Sequence, residues 1–230
     1  MNHNYTLNIP VIRRVLIMTA VPAEQEAVLR GLLGSPDGAA FDVRLAGVGS
    51  AAAAASTARI LATAGDCYDL VISAGIGGGF PGRAEIGTVA VASEIIAADL
   101  GAESQEGFIS VDELGFGSSR IPVQAELAAR WTEALQVAGV PVQSGPIVTV
   151  TTATGTLATA AGIAGRVPGA AAEAMEGFGA ATAAAQAGLP VLEIRGISNR
   201  VGPRDRSAWR IGDALAALEA AFTHLQEVLK

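Results

Sequence analysis

A single cysteine, Cys67, stands in the 230 residues of this chain, and there are only two histidines, His3 and His224. One thiol cannot close an intramolecular disulfide, and two such histidines rule out most His-based metal centres and catalytic triads, so no metal is expected. Basic residues are also few: 15 Lys and Arg against 22 Asp and Glu leave a formal net charge of -7, and the cations are scattered. Without a basic stripe a phosphate backbone finds no partner, so nucleic acid is not expected to bind. Long apolar runs are missing as well. Mean hydropathy is +0.43, but Glu, Arg, Gly or Pro interrupts the Ala-rich stretches before about 18 apolar residues accumulate, so no membrane span is expected. The opening MNHNYTLNIPVIRR has no apolar signal core, which makes the cytoplasm the expected compartment.

What is present suits a packed core. Hydrophobic residues make up 50% of the chain and there are 28 glycines, a composition for closely packed helices and tight strand-to-helix turns. A chain of this length buries roughly 70% of its unfolded surface around one core. One domain is expected over residues 15–230, preceded by a flexible polar tail, residues 1–14. Cys67 precedes the apolar run Tyr68 to Ala74, where plain packing is the expected role.

Apolar runs and helix signals then alternate. Strands are expected at Val15–Thr19, Phe41–Leu45, Asp69–Ala74, Thr88–Ser93, Gln143–Val150, Ala170–Ala174 and Val191–Ile197. Helices are expected from Pro22 to about Leu33, Ala51 to Ala64, Pro122 to Val137, Leu157 to Ala164, Gly177 to Ala187 and Ile211 to Leu229. Residues 97–121 mix Gly, Ser and acids with isolated aromatics and read as a binding loop or lid. The alternation implies an α/β fold with a parallel or mixed sheet covered on both faces and ligands at the carboxyl ends of its strands. The suspect turns are 20–26, 75–83, 151–156 and 196–206, joined by Met175 and Glu176.

Each motif has a bland reading. The glycines 75, 77, 78 and 79 follow a strand, but their spacing is not GxGxxG and no acid sits about 20 positions on, so no dinucleotide cofactor is expected. They serve either as a turn or as a place where a ribose or base approaches the backbone. Glu24 and Glu26 lie in the first turns of a helix, where acids complement the dipole, and alone this is the better explanation of them. Glu176 is harder to dismiss, because an unpartnered carboxylate in the apolar AEAMEGF would cost several kcal/mol. Met175 beside it suits a core. Arg195, Ser198 and Asn199 interrupt an apolar strand and need partners, either in a buried network or in a site.

Taken together, TAVPAEQE (19–26), SAGIGGGF (73–80), AMEGFGAA (174–181) and IRGISNRVG (194–202) resemble the nucleoside phosphorylase and nucleosidase superfamily, in order and spacing, over nearly all the chain after the tail. The resemblance implies a single-domain, nucleoside phosphorylase-like three-layer α/β fold, a central mixed sheet flanked by helices. It implies an enzyme that cleaves a purine N-glycosidic bond without a cofactor, as a homodimer or higher homo-oligomer in which residues 97–121, with Phe108, Leu114 and Phe116, act across an interface. By the same resemblance Glu24 positions and deprotonates water, with Glu26 as its substitute, and Met175 and Glu176 bind the ribose. Gly75, Ile76, Gly77, Ala153, Thr154 and Ser198 surround the substrate.

Three departures from the pattern carry information. Asn199 stands where adenine-cleaving relatives have a proton-donating Asp. Its amide can donate to a 6-oxo group and accept from a protonated N7, which favours hypoxanthine as the leaving base. The first turn has acids where phosphate-using relatives have an Arg, which favours water as the nucleophile. Ala153 and Thr154 replace a stacking Phe, leaving Phe80 or Phe178 to contact the base, while Arg204, Arg206 and Trp209 are placed to meet a benzoate-like arm on the substrate. An adenine-directed nucleosidase, a phosphorylase and a non-catalytic nucleoside-binding protein remain the alternatives.

Overall fold

The computed structural model describes residues 11–33 and 38–230. Of the expected tail, residues 1–10 with His3 lie outside the described residues, whereas Ile12 is buried against the core and Arg14 already opens the first strand. The first half runs β1 (Arg14–Thr19), α1 (Pro22–Leu32), β2 (Ala40–Leu45), α2 (Ser50–Ala64), β3 (Leu70–Gly79) and β4 (Val89–Ala97). Three short strands follow, β5 (Gly101–Ser104), β6 (Gly107–Ser110) and β7 (Arg120–Pro122), then α3 (Ala125–Val137) and β8 (Val142–Thr149). The chain ends with α4 (Leu157–Arg166), β9 (Ala172–Ala174), α5 (Gly177–Gln186), β10 (Val191–Arg200), α6 (Ile211–Thr223) and α7 (Leu225–Val228).

The main sheet is mixed, with strands in the order β10-β4-β8-β9-β3-β1-β2 and β7 added to β4. β10 also pairs with β3 in parallel, so five strands close into a ring from which β1 and β2 extend. Parallel strands covered on both faces need apolar residues throughout, and β1 buries every residue from Val15 to Thr19. The helices cover this sheet in pairs, α1 beside α6 and α2 beside α5. The second pair makes backbone contact: a Cβ on Gly179 would stand 2.0 Å from the Ser50 carbonyl oxygen, so the Ala- and Gly-rich composition is what allows these helices to approach. Trp131 closes the far side, fully buried, donating from Nε1 to the Ala221 carbonyl at 3.0 Å and meeting Phe222 edge-to-face at 5.3 Å.

Five expectations need correction. The glycine run at 75–79 is not a turn but the continuation of β3, because β10 and β9 supply ladder partners on its two sides and tertiary pairing overrides the weak strand propensity of glycine. Residues 97–121 are not one loop: β5 and β6 form a hairpin and β7 joins the main sheet. Pro122 ends β7 rather than starting a helix, and the closing helix divides at His224. Cys67 has no packing role; it is exposed beside Gly65 and Asp66, before the buried run begins at Tyr68.

Candidate active site

The suspected turns meet at one cavity of about 330 Å³. The β1–α1 turn supplies Ala20, Val21 and Glu24; β3 supplies Ile76, Gly77 and Gly78; the segment after β8 supplies Ala153 and Thr154. Glu173 to Glu176 come from β9 and the start of α5, and Ser198, Asn199, Arg200, Arg204 and Trp209 from β10 and the chain beyond it. Val48 completes the wall. Of the residues singled out in the sequence, Glu24, Ile76, Gly77, Ala153, Thr154, Met175, Glu176, Ser198 and Asn199 are therefore together. Gly75 is not part of the lining; a Cβ there would stand 2.6 Å from Glu24 Oε1 and 2.7 Å from an Arg195 guanidinium nitrogen, so its missing side chain lets those two charged groups converge. Glu26 is exposed on the outer face of α1. Phe80 is buried in a separate apolar cluster and Phe178 packs on the main core, and neither lines the cavity. Phe108 lies elsewhere, under the Arg166 guanidinium at 4.5 Å, and Phe116 is exposed.

Glu24 is 4% exposed at the third position of α1. Its Oε2 accepts from the backbone N–H groups of Ala20 at 2.9 Å and Val21 at 3.2 Å, and its Oε1 from that of Ile76 at 2.8 Å. The first two bonds satisfy orphan donors at the helix start, since Val21 at the cap has no acceptor of its own. Helix stabilisation and a place in the cavity are thus the same arrangement. Reaching across to β3 fixes the carboxylate between two elements.

Glu176 is held in the same manner from another side. Its Oε1 accepts from the Gly49 N–H at 3.0 Å and its Oε2 from Arg195 Nη1 at 3.2 Å. Arg195 has no exposed surface and uses its whole fork, donating also to Glu193 at 2.9 Å and to Ser73 Oγ at 3.0 Å. Burial works against the charge on Arg195, but Glu193, Glu176 and Glu24 together raise its pKa above the ordinary arginine value. Burial also pushes the Glu193 carboxyl up, against the pull of Arg195, and its second oxygen has no hydrogen-bond partner. Carboxylates outnumber the guanidinium at this end of the cavity.

The other end is built by a bulge. The β10–β3 register shifts between Ile197 and Asn199, leaving Ser198 as the extra residue. The one proton of the Ser198 hydroxyl is shared between two acceptors, the Gly77 carbonyl at 3.1 Å and Asn199 Oδ1 at 2.8 Å, while Asn199 Nδ2 donates to the Arg200 carbonyl at 3.0 Å. These bonds turn the amide so that one N–H remains for a ligand. At the mouth the Arg204 guanidinium stands 5.3 Å from the Trp209 ring centre, a flat apolar surface carrying a cation.

Glu173 was missed in the sequence. It is 7% exposed and lines the cavity, where the Thr154 N–H donates to Oε1 at 2.8 Å and the Thr154 hydroxyl bonds Oε2 at 2.5 Å. Burial holds its pKa above the usual carboxylate value, outweighing the Thr154 bonds that lower it. The signal was available, since the burial argument that marks Glu176 applies equally to a second acid in AEAMEGF.

With this geometry in hand, comparison with known proteins gives a consistent result. The phosphorylase superfamily model matches residues 21–230. A futalosine hydrolase of Streptomyces coelicolor is 49% identical, over 94% of this chain and 96% of that one. A futalosine hydrolase of Acidothermus cellulolyticus is 48% identical, over 91% and 89%. Among solved structures, a 5'-methylthioadenosine/S-adenosylhomocysteine nucleosidase from Neisseria meningitidis superposes with a TM-score of 0.78 at 20% identity, over 93% of this chain and 98% of that one. That likeness shows the α/β fold with a central mixed sheet flanked by helices. The chain belongs to the phosphorylase superfamily and, within it, groups with the futalosine hydrolases.

Proposed function

We propose that this protein hydrolyses the N-glycosidic bond of futalosine, releasing hypoxanthine and dehypoxanthine futalosine in the futalosine route of menaquinone biosynthesis. The observation that carries this reading is the pair Glu24 and Glu176, drawn from distant parts of the chain and fixed around one cavity by backbone N–H groups and Arg195. Glycosidic cleavage passes through a cationic sugar, which fixed carboxylates stabilise more than they stabilise the neutral substrate. Glu24 positions a water molecule and takes its proton. Glu176 accepts hydrogen bonds from the ribose 2' and 3' hydroxyls, with Met175 against the sugar face. Ile76, Gly77, Ala153, Thr154 and Ser198 form the walls, and Asn199 gives its remaining N–H to the 6-oxo group.

Water is favoured over phosphate because the first turn, AVPAEQE, offers an acid and no arginine. The name of the relatives supports the substrate, and Arg204 over Trp209 supplies a cation and an apolar face for the benzoate-like arm. The reading includes a cytoplasmic homodimer or higher homo-oligomer; sedimentation of the purified protein at the mass of two or more chains supports that part and sedimentation at one removes it. Purified protein is incubated with futalosine, its 6-amino analogue, inosine and methylthioadenosine, with and without phosphate. Phosphate-independent release of hypoxanthine from futalosine is expected, and release of adenine or a need for phosphate contradicts the proposal.

A further inference from the structure

The reaction proposed above leaves one proton unassigned. A purine that departs from C1' with the bonding electrons carries negative charge into its rings unless N7 is protonated, and the amide of Asn199 has no acidic proton to give. The base end of the cavity nevertheless holds a carboxyl, Glu173 of β9, for which no task has yet been found.

Its position follows from strand register. Asn199 is paired with Gly78, and Gly78 with Glu173, so the three residues form one row across β10, β3 and β9. Directly paired residues point to the same face of a sheet, and the two outer Cα atoms of such a row are roughly 10 Å apart. The middle of the row has no side chain. A Cβ on Gly78 would stand 3.2 Å from Asn199 Nδ2, so the amide already leans over the gap. A purine edge laid over Gly78 has Asn199 on one side and Glu173 on the other, and N7 and the 6-oxo group share that edge. The ribose end lies two residues back along β3, where the Ile76 N–H holds Glu24.

Charge and hydrogen bonding agree with this placement. An ionised carboxylate beside the base opposes the negative charge that develops as it leaves, whereas a neutral carboxyl relieves it. The Thr154 N–H occupies Oε1, leaving Oε2 for the proton, and the Thr154 hydroxyl is free to rotate toward or away from it. The charged groups around Glu173 are Asp99 beyond β4, which raises its pKa, Arg200 and Arg204 on the wall after β10, and Glu24 and Glu176 at the sugar end. The neighbouring β3 presents no charged side chain.

We propose that Glu173 is the proton donor to the departing base, with Asn199 holding the 6-oxo group beside it. This rests on the reading of the cavity as a purine nucleosidase site. As the C1'–N9 bond breaks, its electron pair passes into the purine and the Glu173 proton moves to N7. The water oxygen bonds C1' and its proton passes to Glu24, so one carboxyl gains the proton that the other loses. Hypoxanthine leaves neutral, and exchange with solvent resets both groups.

The test is Glu173→Gln in the full chain, assayed on futalosine and on 4-nitrophenyl β-D-ribofuranoside, whose phenolate departs without a proton. Turnover of futalosine is expected to fall about 10²- to 10³-fold, while cleavage of the aryl riboside changes less than about 3-fold because its leaving group needs no acid. Wild type is expected to lose rate as pH rises and the donor ionises, and this loss should vanish in the variant. Thr154→Val, which removes a donor favouring the ionised form, should move that alkaline limb to higher pH. Equal losses on both substrates, or undiminished futalosine turnover, overturn the proposal. If wild type leaves the aryl riboside intact, the pH profile decides, and an alkaline limb that persists in Glu173→Gln overturns it. Should wild type cleave inosine but not futalosine, the substrate reading fails alone and the same comparisons on inosine judge Glu173; cleavage of neither removes both readings.

Discussion

The two ends of the cavity are built on different plans. At the sugar end every oxygen of Glu24 and Glu176 is held by a backbone N–H or by Arg195, and Arg195 is itself locked by Glu193 and Ser73. At the base end and the mouth the side chains have capacity to spare: Asn199 keeps one N–H, the Glu173 carboxyl meets only Thr154, and Arg204 is exposed. On the proposed reaction this difference becomes a division of labour, in which a rigid acidic end handles the cationic sugar whatever base is attached and an adaptable end decides which purine and which arm are accepted. Preorganisation matters most where charge develops, so a fixed end for the sugar is the expected arrangement.

Breaking the rigid end should have the largest effect. Glu24→Gln keeps the shape but cannot take a proton, and kcat for hydrolysis is expected to fall about 10²- to 10⁴-fold. Glu26→Gln on the outer face of α1 serves as the control, and steady-state kinetics should find its kcat within about 2-fold of wild type. Apart from the proton donor Glu173, changes at the adaptable end should move selectivity more than rate. Asn199→Asp is expected to shift the ratio of kcat/KM for 6-amino over 6-oxo substrates upward by about 10- to 100-fold, as measured by competition between futalosine and its amino analogue. Arg204→Ala removes an exposed cation, so the ratio of KM for futalosine to KM for inosine should rise only about 3- to 10-fold.

The smallest effect concerns stability. Burial holds the Glu173 carboxyl above its ordinary value of 4.5, so the folded state binds this proton more tightly than the unfolded one. Such a group favours folding while protonated and gives up that contribution as pH rises through its folded pKa. Glu173→Gln escapes the loss. Calorimetry should therefore find the Tm of the variant rising relative to wild type as pH increases above about 4.5, by a few degrees at most.

Much of this division was legible in the sequence. The strand and helix alternation follows from hydropathy period and turn residues, and the convergence of the segments near 20, 76, 153 and 199 follows from their places at the strand ends. The failures arise where long-range pairing decides. Gly75–Gly79 reads as a turn by composition, yet the ladders with β10 and β9 keep it extended and carry it into the cavity. Residues 97–121 hide a hairpin whose strands are four residues each, too short for a period to emerge. Cys67 lies next to an apolar run but one residue outside burial. Glu173 shows that a pattern argument applied to one acid must be applied to its neighbours, since only the row through Gly78 reveals which face it shares with Asn199.

The most direct test of the central claim is hydrolysis of futalosine in ¹⁸O-labelled water without phosphate, followed by mass spectrometry of the sugar product. One ¹⁸O atom in dehypoxanthine futalosine, with an equimolar amount of unlabelled hypoxanthine, is the predicted result. A sugar phosphate formed only when phosphate is supplied, or no release of base at all, would contradict the assignment of Glu24 and water.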